Sequence, residues 1–324
     1  MKNRKSYVLI FLVQLFLFLG FLFLGILSIS PQVTGDVNKS TKAFVNITNS
    51  MPEISDIVIS PYPLINLNPG NITTVTCNAT VNDYNGYNDV GAKNATLFFS
   101  EGGFNTFSAE SNSTFYINRS CKPTCTQFGA SPTNATCECS FAVLYYATNG
   151  TWTCNVTVSD KGGWFPTENP LNFSFYSAAE VNISALIAIS AQDSVNFGNL
   201  SVTQLSTPKQ LNITNAGNRP INVSILGFGG ENSTLGLNLS MICGLGNISI
   251  EKEKWSFENA PSFSAMNLIN SSYSPSNITL SRISNYTNQT NATNTSFWRL
   301  SIPSSVGGYC NGTLVFGASE SLLP

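Results

Sequence analysis

The stretch Asn149-Gly150-Thr151-Trp152-Thr153-Cys154-Asn155-Val156-Thr157-Val158-Ser159-Asp160 opens on a turn pair, continues as a strand and closes on a second turn. Trp152, Cys154, Val156 and Val158 occupy every second place, and polar residues fill the places between. Side chains alternate across a strand, so this pattern buries one face and wets the other. It puts a single cysteine on the buried side. Thr74-Val75-Thr76-Cys77-Asn78-Ala79-Thr80-Val81 has the same alternation far upstream, again with one inward cysteine.

Similar short strands recur on both sides of this pair. Ile54–Ile59, Ala95–Phe99, Phe141–Tyr146 and Leu171–Tyr176 alternate. Turn signals separate them: Pro61, Pro63, Asn68-Pro69-Gly70, the cluster Asn82–Asp89, and Lys161-Gly162-Gly163-Trp164. A second set follows in Val181–Ile187, Val195–Val202, Lys209–Asn215, Ile221–Ile225, Phe297–Pro303 and Tyr309–Phe316. Asn215-Ala216-Gly217-Asn218-Arg219-Pro220 reads as a tight turn between two of them, and the Ser/Asn/Thr-rich segment 270–296 as a solvated loop. No stretch after residue 35 sustains a helical period with caps, so the spacing predicts a β-sandwich architecture and no parallel α/β sheet.

The 324 residues carry 15 Lys and Arg against 17 Asp and Glu, a net charge of −2, and no histidine. This balance offers no electrostatic footprint for nucleic acid. The absence of histidine removes the commonest general base and the commonest metal ligand together. No Gly-x-Ser-x-Gly elbow and no Gly-x-x-x-x-Gly-Lys-Ser/Thr loop occurs, so neither a serine hydrolase nor a nucleotide-binding loop is written here. A non-enzymatic chain without a cofactor is expected.

Lys2, Arg4 and Lys5 precede an uncharged apolar run over residues 7–30. A spanning helix needs roughly 20 apolar residues and a signal core roughly 7–15, so the run is long enough to cross a membrane. The positive flank places the N-terminus inside and the remainder outside. Val33-Thr34-Gly35 before Asp36 has the small-residue look of a processing site. Residues 1–35 are therefore a signal-anchor or a cleaved signal, and the chain is either anchored at the cell surface or secreted. Residues 36–51 form a polar stalk, 52–178 a first sandwich and 179–324 a second.

Between residues 119 and 140 lies a cysteine-rich segment, read as an insertion, with Cys121, Cys125, Cys137 and Cys139. Four cysteines invite a zinc reading, but histidine is missing, the Cys-x-Cys pair is tight, and an exported chain oxidises its thiols. Disulfides are the expectation. Three pairings are open, of which the nested set Cys121–Cys139 and Cys125–Cys137 staples a hairpin. Cys243 and Cys310 remain, one in each half of the second sandwich, and are expected to bridge within it.

Residues 149–160 resemble the Asp/Asn-x-Gly-x-Tyr-x-Cys signature of immunoglobulin-like domains, with Trp152 at the corner-tyrosine position. That resemblance implies a Cys77–Cys154 bridge between two sheets. The tryptophan usual after the first cysteine is missing, and Phe98 or Phe99 is expected in its volume. Phe197-Gly198-Asn199-Leu200-Ser201-Val202 followed by Leu211-Asn212-Ile213-Thr214-Asn215-Ala216-Gly217-Asn218 resembles ASH and major-sperm-protein-like sandwiches. Related modules occur in archaeal and bacterial surface proteins, and those families scaffold and bind. The resemblances thus imply an all-β fold of two tandem Ig-like β-sandwiches after an N-terminal hydrophobic helix, of archaeal surface-protein type.

Three kinds of site remain. About 25 Asn-x-Ser/Thr sequons occur, among them Asn46, Asn71, Asn94, Asn112, Asn232, Asn277, Asn285, Asn288, Asn291 and Asn294. Each is a candidate glycan acceptor on an exported chain, although a chain this rich in Asn, Ser and Thr also makes sequons by chance. Asp83, Asn85 and Asp89 around Gly86 resemble part of a calcium loop. No distal glutamate completes it, and an Asn-Gly hairpin turn accounts for the same residues. Tyr84, Tyr87 and Trp164 are loop aromatics that either edge the core or form a recognition surface. The expected function is structural or adhesive at the cell envelope, with a surface protein or glycan as partner; a ligand-binding receptor ectodomain is the alternative.

Overall fold

The computed structural model describes residues 12, 14, 40–47, 49–102, 112–118, 121–161, 176–259, 261–283 and 291–321. The apolar run 7–30, apart from residues 12 and 14, lies outside the described residues, as do Trp164, Asn285, Asn288 and most of Leu171–Tyr176. Among the described residues no helix is long and apolar enough to cross a membrane. In the N-terminal unit Met1–Thr48, residues 40–47 are exposed and without regular structure.

The first sandwich contains β1 Glu53–Ser60, β2 Leu64–Ile65, β3 Ile72–Asn82, β4 Val90–Phe99, β5 Phe115–Asn118, β6 Thr126–Gln127, β7 Asn134–Leu144, β8 Gly150–Asp160 and β9 Tyr176–Ile183. One sheet has the order β1-β3-β7-β6 and the other β2-β9-β8-β4-β5. β2 runs parallel to β9, and the remaining pairs are antiparallel. In chain order these are the A-B-E-D and G-F-C sheets of the immunoglobulin topology, with short additions at the edges. Ile57, Val75, Ala79 and Phe141 from one sheet meet Leu97, Trp152, Val156 and Val181 from the other in one buried core.

Cys77 on β3 and Cys154 on β8 are joined across the two sheets. The Trp152 Nε1–H donates to the Thr148 carbonyl at 2.7 Å, four residues upstream. A corner tyrosine makes this bond with its hydroxyl; here the indole N–H does so, from a fully buried ring. Phe99 and Tyr116 pack on Trp152 with centroids at 6.2 and 5.8 Å. Of the two phenylalanines expected in the core, Phe99 is the one against the tryptophan.

The segment 119–140 is not an insertion. Its second half is β7, paired with β3 over all eleven residues from Asn82↔Asn134 to Ile72↔Leu144. Ala135, Cys137, Cys139, Phe141 and Val143 alternate into the core, so two of the cysteines hold inward positions of a central strand. They pair in the nested set, Cys121 with Cys139 and Cys125 with Cys137, and pin the chain before β6 onto β7.

The first sandwich also extends past the expected boundary at residue 178. Val181, Asn182 and Ile183 pair with Trp152, Thr151 and Gly150, because Val181 and Ile183 supply the apolar side of β9 to the first core.

The second sandwich contains β10 Ile189–Ala191, β11 Lys209–Asn215, β12 Ile221–Gly229, β13 Leu239–Leu245, β14 Asn247–Ser249, β15 Glu253–Ser256, β16 Asn267–Leu268, β17 Ser274–Leu280, β18 Thr293–Leu300 and β19 Gly307–Glu320. Its sheets have the orders β10-β11-β18-β15-β16 and β14-β13-β19-β12-β17. Leu211, Ile213, Trp255 and Trp298 face Ile221, Val223, Ile225 and Leu280.

Two expectations for this half are corrected. Val195–Val202 forms no strand; Val195 and Phe197 lie against the core from an irregular segment. The supposed loop 270–296 contains β17 and the start of β18. Leu280 is buried there, and the Ser276 hydroxyl donates to the Val223 carbonyl at 2.7 Å. Cys243 and Cys310 are joined within this half. The two residues sit opposite each other on adjacent strands β13 and β19 of one sheet and are half-buried.

The turn 215–220 joins the two sandwiches. Asn215 accepts the Gly217 N–H on Oδ1 at 2.9 Å and donates from Nδ2 to the carbonyls of Arg219, Leu280 and Ser281. Asn218, also buried, accepts the Leu186 N–H at 2.7 Å and donates to the carbonyls of Ala147 and Ser184, both at 3.0 Å. A Cβ on Gly217 would lie 2.2 Å from the Leu186 carbonyl oxygen, so the contact requires glycine. Tyr146 of the first half packs with Ile283 and Ala292 of the second.

Candidate metal centre

At one end of the first sandwich three carboxylates from separate segments converge. Asp83 directly follows β3, Asp89 closes the 3₁₀ turn Tyr87–Asp89, and Asp160 is the last residue of β8. One oxygen from each lies within 4.8 Å of the other two.

The backbone fixes this arrangement. The Asp83 N–H donates to the Thr133 carbonyl at 2.8 Å, and the Asp83 carbonyl accepts the Gly86 N–H at 2.9 Å. Asp83 Oδ1 accepts the Asn85 N–H at 2.9 Å, an Asx-type turn. The Lys161 N–H donates to the Asp89 carbonyl at 2.7 Å, which ties the loop to the end of β8. The β4–β8 ladder shifts register between Val90 and Lys93. A Cβ on Gly91 would come within 2.7 Å of the Asp160 carbonyl group. Only glycine lets β4 close on β8 here, and that closure brings Asp89 to Asp160.

Asp83 is 0% exposed. Its Oδ2 and the Asp160 Oδ1 are both buried and meet no N–H or hydroxyl donor, and the two carboxyls lie within hydrogen-bonding reach of each other. The other Asp160 oxygen accepts from Asn49 Nδ2 at 2.8 Å. Burial, then the negative charges of Asp83 and Asp89, push the Asp160 carboxyl up to about 6. Burial is also the main cause raising Asp83, with the Asp89 charge adding to it. The nearby Lys161 Nζ is turned to the Asn88 carbonyl. The ion pairs Lys122–Glu138, Arg219–Glu320 and Lys252–Glu251 lie elsewhere.

Of the three residues that the sequence suggests for calcium, the structure brings Asp83 and Asp89 together but not Asn85. The Asn85 side-chain oxygen accepts from the Ser50 N–H at 2.6 Å and the Ser50 hydroxyl at 3.0 Å. The third carboxylate is Asp160, which local reading does not reach; its one sequence signal is its place at the end of the strand that carries Cys154. The expected Asn-Gly hairpin is not formed, because β3 and β4 lie in different sheets; the turn closed by the Gly86 N–H on the Asp83 carbonyl carries the chain between the sheets and holds Asp83 and Asp89 in place.

The aromatics divide. Tyr84 is exposed, while Tyr87 packs partly on the first core. Among the named sequons, Asn46, Asn71, Asn94, Asn232, Asn277 and Asn291 are exposed, and Asn112 and Asn294 are half-buried. Asn71 and Asn232 use their side-chain oxygens on nearby backbone N–H groups. Asn277 stands on β17 with φ 57°, a left-handed conformation that asparagine tolerates.

No family model matches the sequence, and no curated protein does. Among solved structures the chain is similar to the CsuC–CsuE chaperone–tip adhesion subunit pre-assembly complex from archaic chaperone-usher Csu pili of Acinetobacter baumannii. That match has 12% identity and a TM-score of 0.32, over 79% of this chain and 96% of that one. A marsupial T cell receptor matches at 12% identity and a TM-score of 0.22, over 81% of this chain and 70% of that one. A DUF4466 family protein from Parabacteroides merdae ATCC 43184 matches at 11% identity and a TM-score of 0.23, over 77% and 100%. The sandwich assignment rests on the strand ladders and the two cores.

Proposed function

We propose that this chain is a non-enzymatic protein of the cell surface or envelope with a structural or adhesive role. It is held by residues 7–30 or released by cleavage near Asp36, and it carries N-linked glycans on its exposed sequons. The observation that carries this reading is the state of the cysteines. All eight are paired and none is free, which belongs to an oxidising compartment. The motif Leu211–Asn218 supports reading the second sandwich as an ASH-like scaffolding module, with Asn215 and Asn218 engaged in structural hydrogen bonds. Non-reducing peptide mass spectrometry on washed envelopes and medium of native cells tests the reading. Disulfide-linked Cys77–Cys154 peptides and glycosylated asparagines in the envelope fraction are expected. A cytosolic chain with free thiols would sink it.

A further inference from the structure

Asp83 is the place to look. A carboxylate oxygen with no solvent and no donor carries a large desolvation cost unless something compensates it. Here a second such oxygen, on Asp160, belongs to the same cluster, and Asp89 adds a third negative group. Two things could stand between them: a proton shared by Asp83 and Asp160, or a cation held by all three.

The geometry favours the cation. Oxygens bound to one calcium at roughly 2.4 Å are separated by no more than about 4.8 Å, and the three carboxylates satisfy that limit. A shared proton would leave the Asp89 carboxylate uncompensated beside the pair, whereas the Lys161–Asp89 backbone bond and the close approach at Gly91 hold Asp89 at the cluster. Three carboxylates suit calcium better than magnesium, which keeps most of its waters and takes one or two.

We propose that Asp83, Asp89 and Asp160 bind one calcium ion at the end of the first sandwich, where it compensates the two buried carboxylate oxygens. The same ion fastens the entry of the chain into the sandwich. Asn49 donates to Asp160 and Ser50 to Asn85, so both sides of the site contact the residues that lead into β1.

The test uses the full disulfide-bonded chain, stripped with chelator and titrated calorimetrically with CaCl2 and, separately, MgCl2. Extracellular calcium sites have Kd values of about 0.1–1 mM, so titration to ~10 mM saturates such a site. One calcium per chain, with a Tm that rises on addition of CaCl2 and rises less with MgCl2, is expected. Asp89→Asn and Asp160→Asn should each weaken calcium at least about tenfold, since affinity follows ligand charge. Asn85→Ala should retain binding. Because Asp160 has one fully buried oxygen and holds Asn49 with the other, Asp89→Asn serves as the variant least exposed to misfolding. Absence of heat and of a Tm shift in the wild type, with Asp160→Asn more stable irrespective of calcium, would assign a shared proton and overturn the proposal. Undiminished calcium binding in both aspartate variants would place the ion elsewhere and overturn it equally.

Discussion

Asn218 Nδ2 donates to the carbonyl oxygen of Ala147 at 3.0 Å, 71 residues away, and this buried bond joins the second sandwich to the first. The same amide group also serves Ser184 and Leu186. Asn218→Ala therefore orphans two carbonyls and one N–H. At about 1–3 kcal/mol per orphaned buried group, a loss of several kcal/mol is expected in urea unfolding of the full chain. Asn218→Asp should be no milder, because a carboxylate cannot donate to either carbonyl. Gly217→Ala should open the same junction by collision with the Leu186 carbonyl, read as new protease cleavage between residues 183 and 189. Unchanged stability in all three would mean that the junction is held by its other contacts, the Tyr146 packing and the bonds from Gly70 to Ala216, Arg282 to Tyr146 and Arg219 to Asn149.

The two long-range disulfides make a controlled comparison. They close loops of 77 and 67 residues, so chain-entropy contributions are nearly equal at about 4–5 kcal/mol. Cys77 and Cys154 are fully buried between the sheets, whereas Cys243 and Cys310 are half-buried on one sheet. Double replacement by alanine should cost more at the first pair by about 1–2 kcal/mol, the added cavity penalty. Equal losses in guanidinium unfolding would refute the assignment of Cys77–Cys154 as the core bridge.

How much of this was readable beforehand depends on the range of the signal. Alternation within one strand is local, and it places Cys77, Trp152 and Cys154 on inward positions. The same alternation runs through Ala135, Cys137, Cys139, Phe141 and Val143, but four cysteines so close together have the local look of an insertion. Turn residues gave the 215–220 turn, while its role as the junction needs Ala147 and Ser184, which no local pattern supplies. The carboxylate cluster divides in the same way. Asp83 and Asp89 flank one turn, and Asp160 arrives only through the β4–β8 ladder. Asn85 looked equivalent to its neighbours because its side-chain direction is set by Ser50, 35 residues earlier.

Trp152 combines core volume with a hydrogen bond, and two variants separate them. Trp152→Phe keeps most of the volume but leaves the Thr148 carbonyl without its indole donor, for an expected loss of about 1–3 kcal/mol. Trp152→Ala removes the ring on which Phe99 and Tyr116 pack and should cost about 3–5 kcal/mol. Thermal melts of the two variants check the order. A phenylalanine variant as stable as wild type would deny the indole N–H its corner role.

Glu253 gives the fold a pH dependence separate from the carboxylate cluster. It is 3% exposed and lies on the face of β15 that carries Trp255, opposite Leu300 in the ladder. Burial pushes its carboxyl up from the ordinary 4.5 to about 8. The folded chain therefore holds this proton where the unfolded chain has released it. Stability falls as pH rises wherever the native state binds more protons. The Glu253 contribution is full below about pH 4.5, declines between pH 4.5 and 8, and is lost above pH 8. Glu253→Gln is neutral throughout and keeps the shape, so its stability relative to wild type should improve steadily across that window and level off above it. Urea unfolding of both chains at pH 5, 7 and 9 makes the comparison, and a difference that stays constant with pH would show that Glu253 is ionised in the folded state.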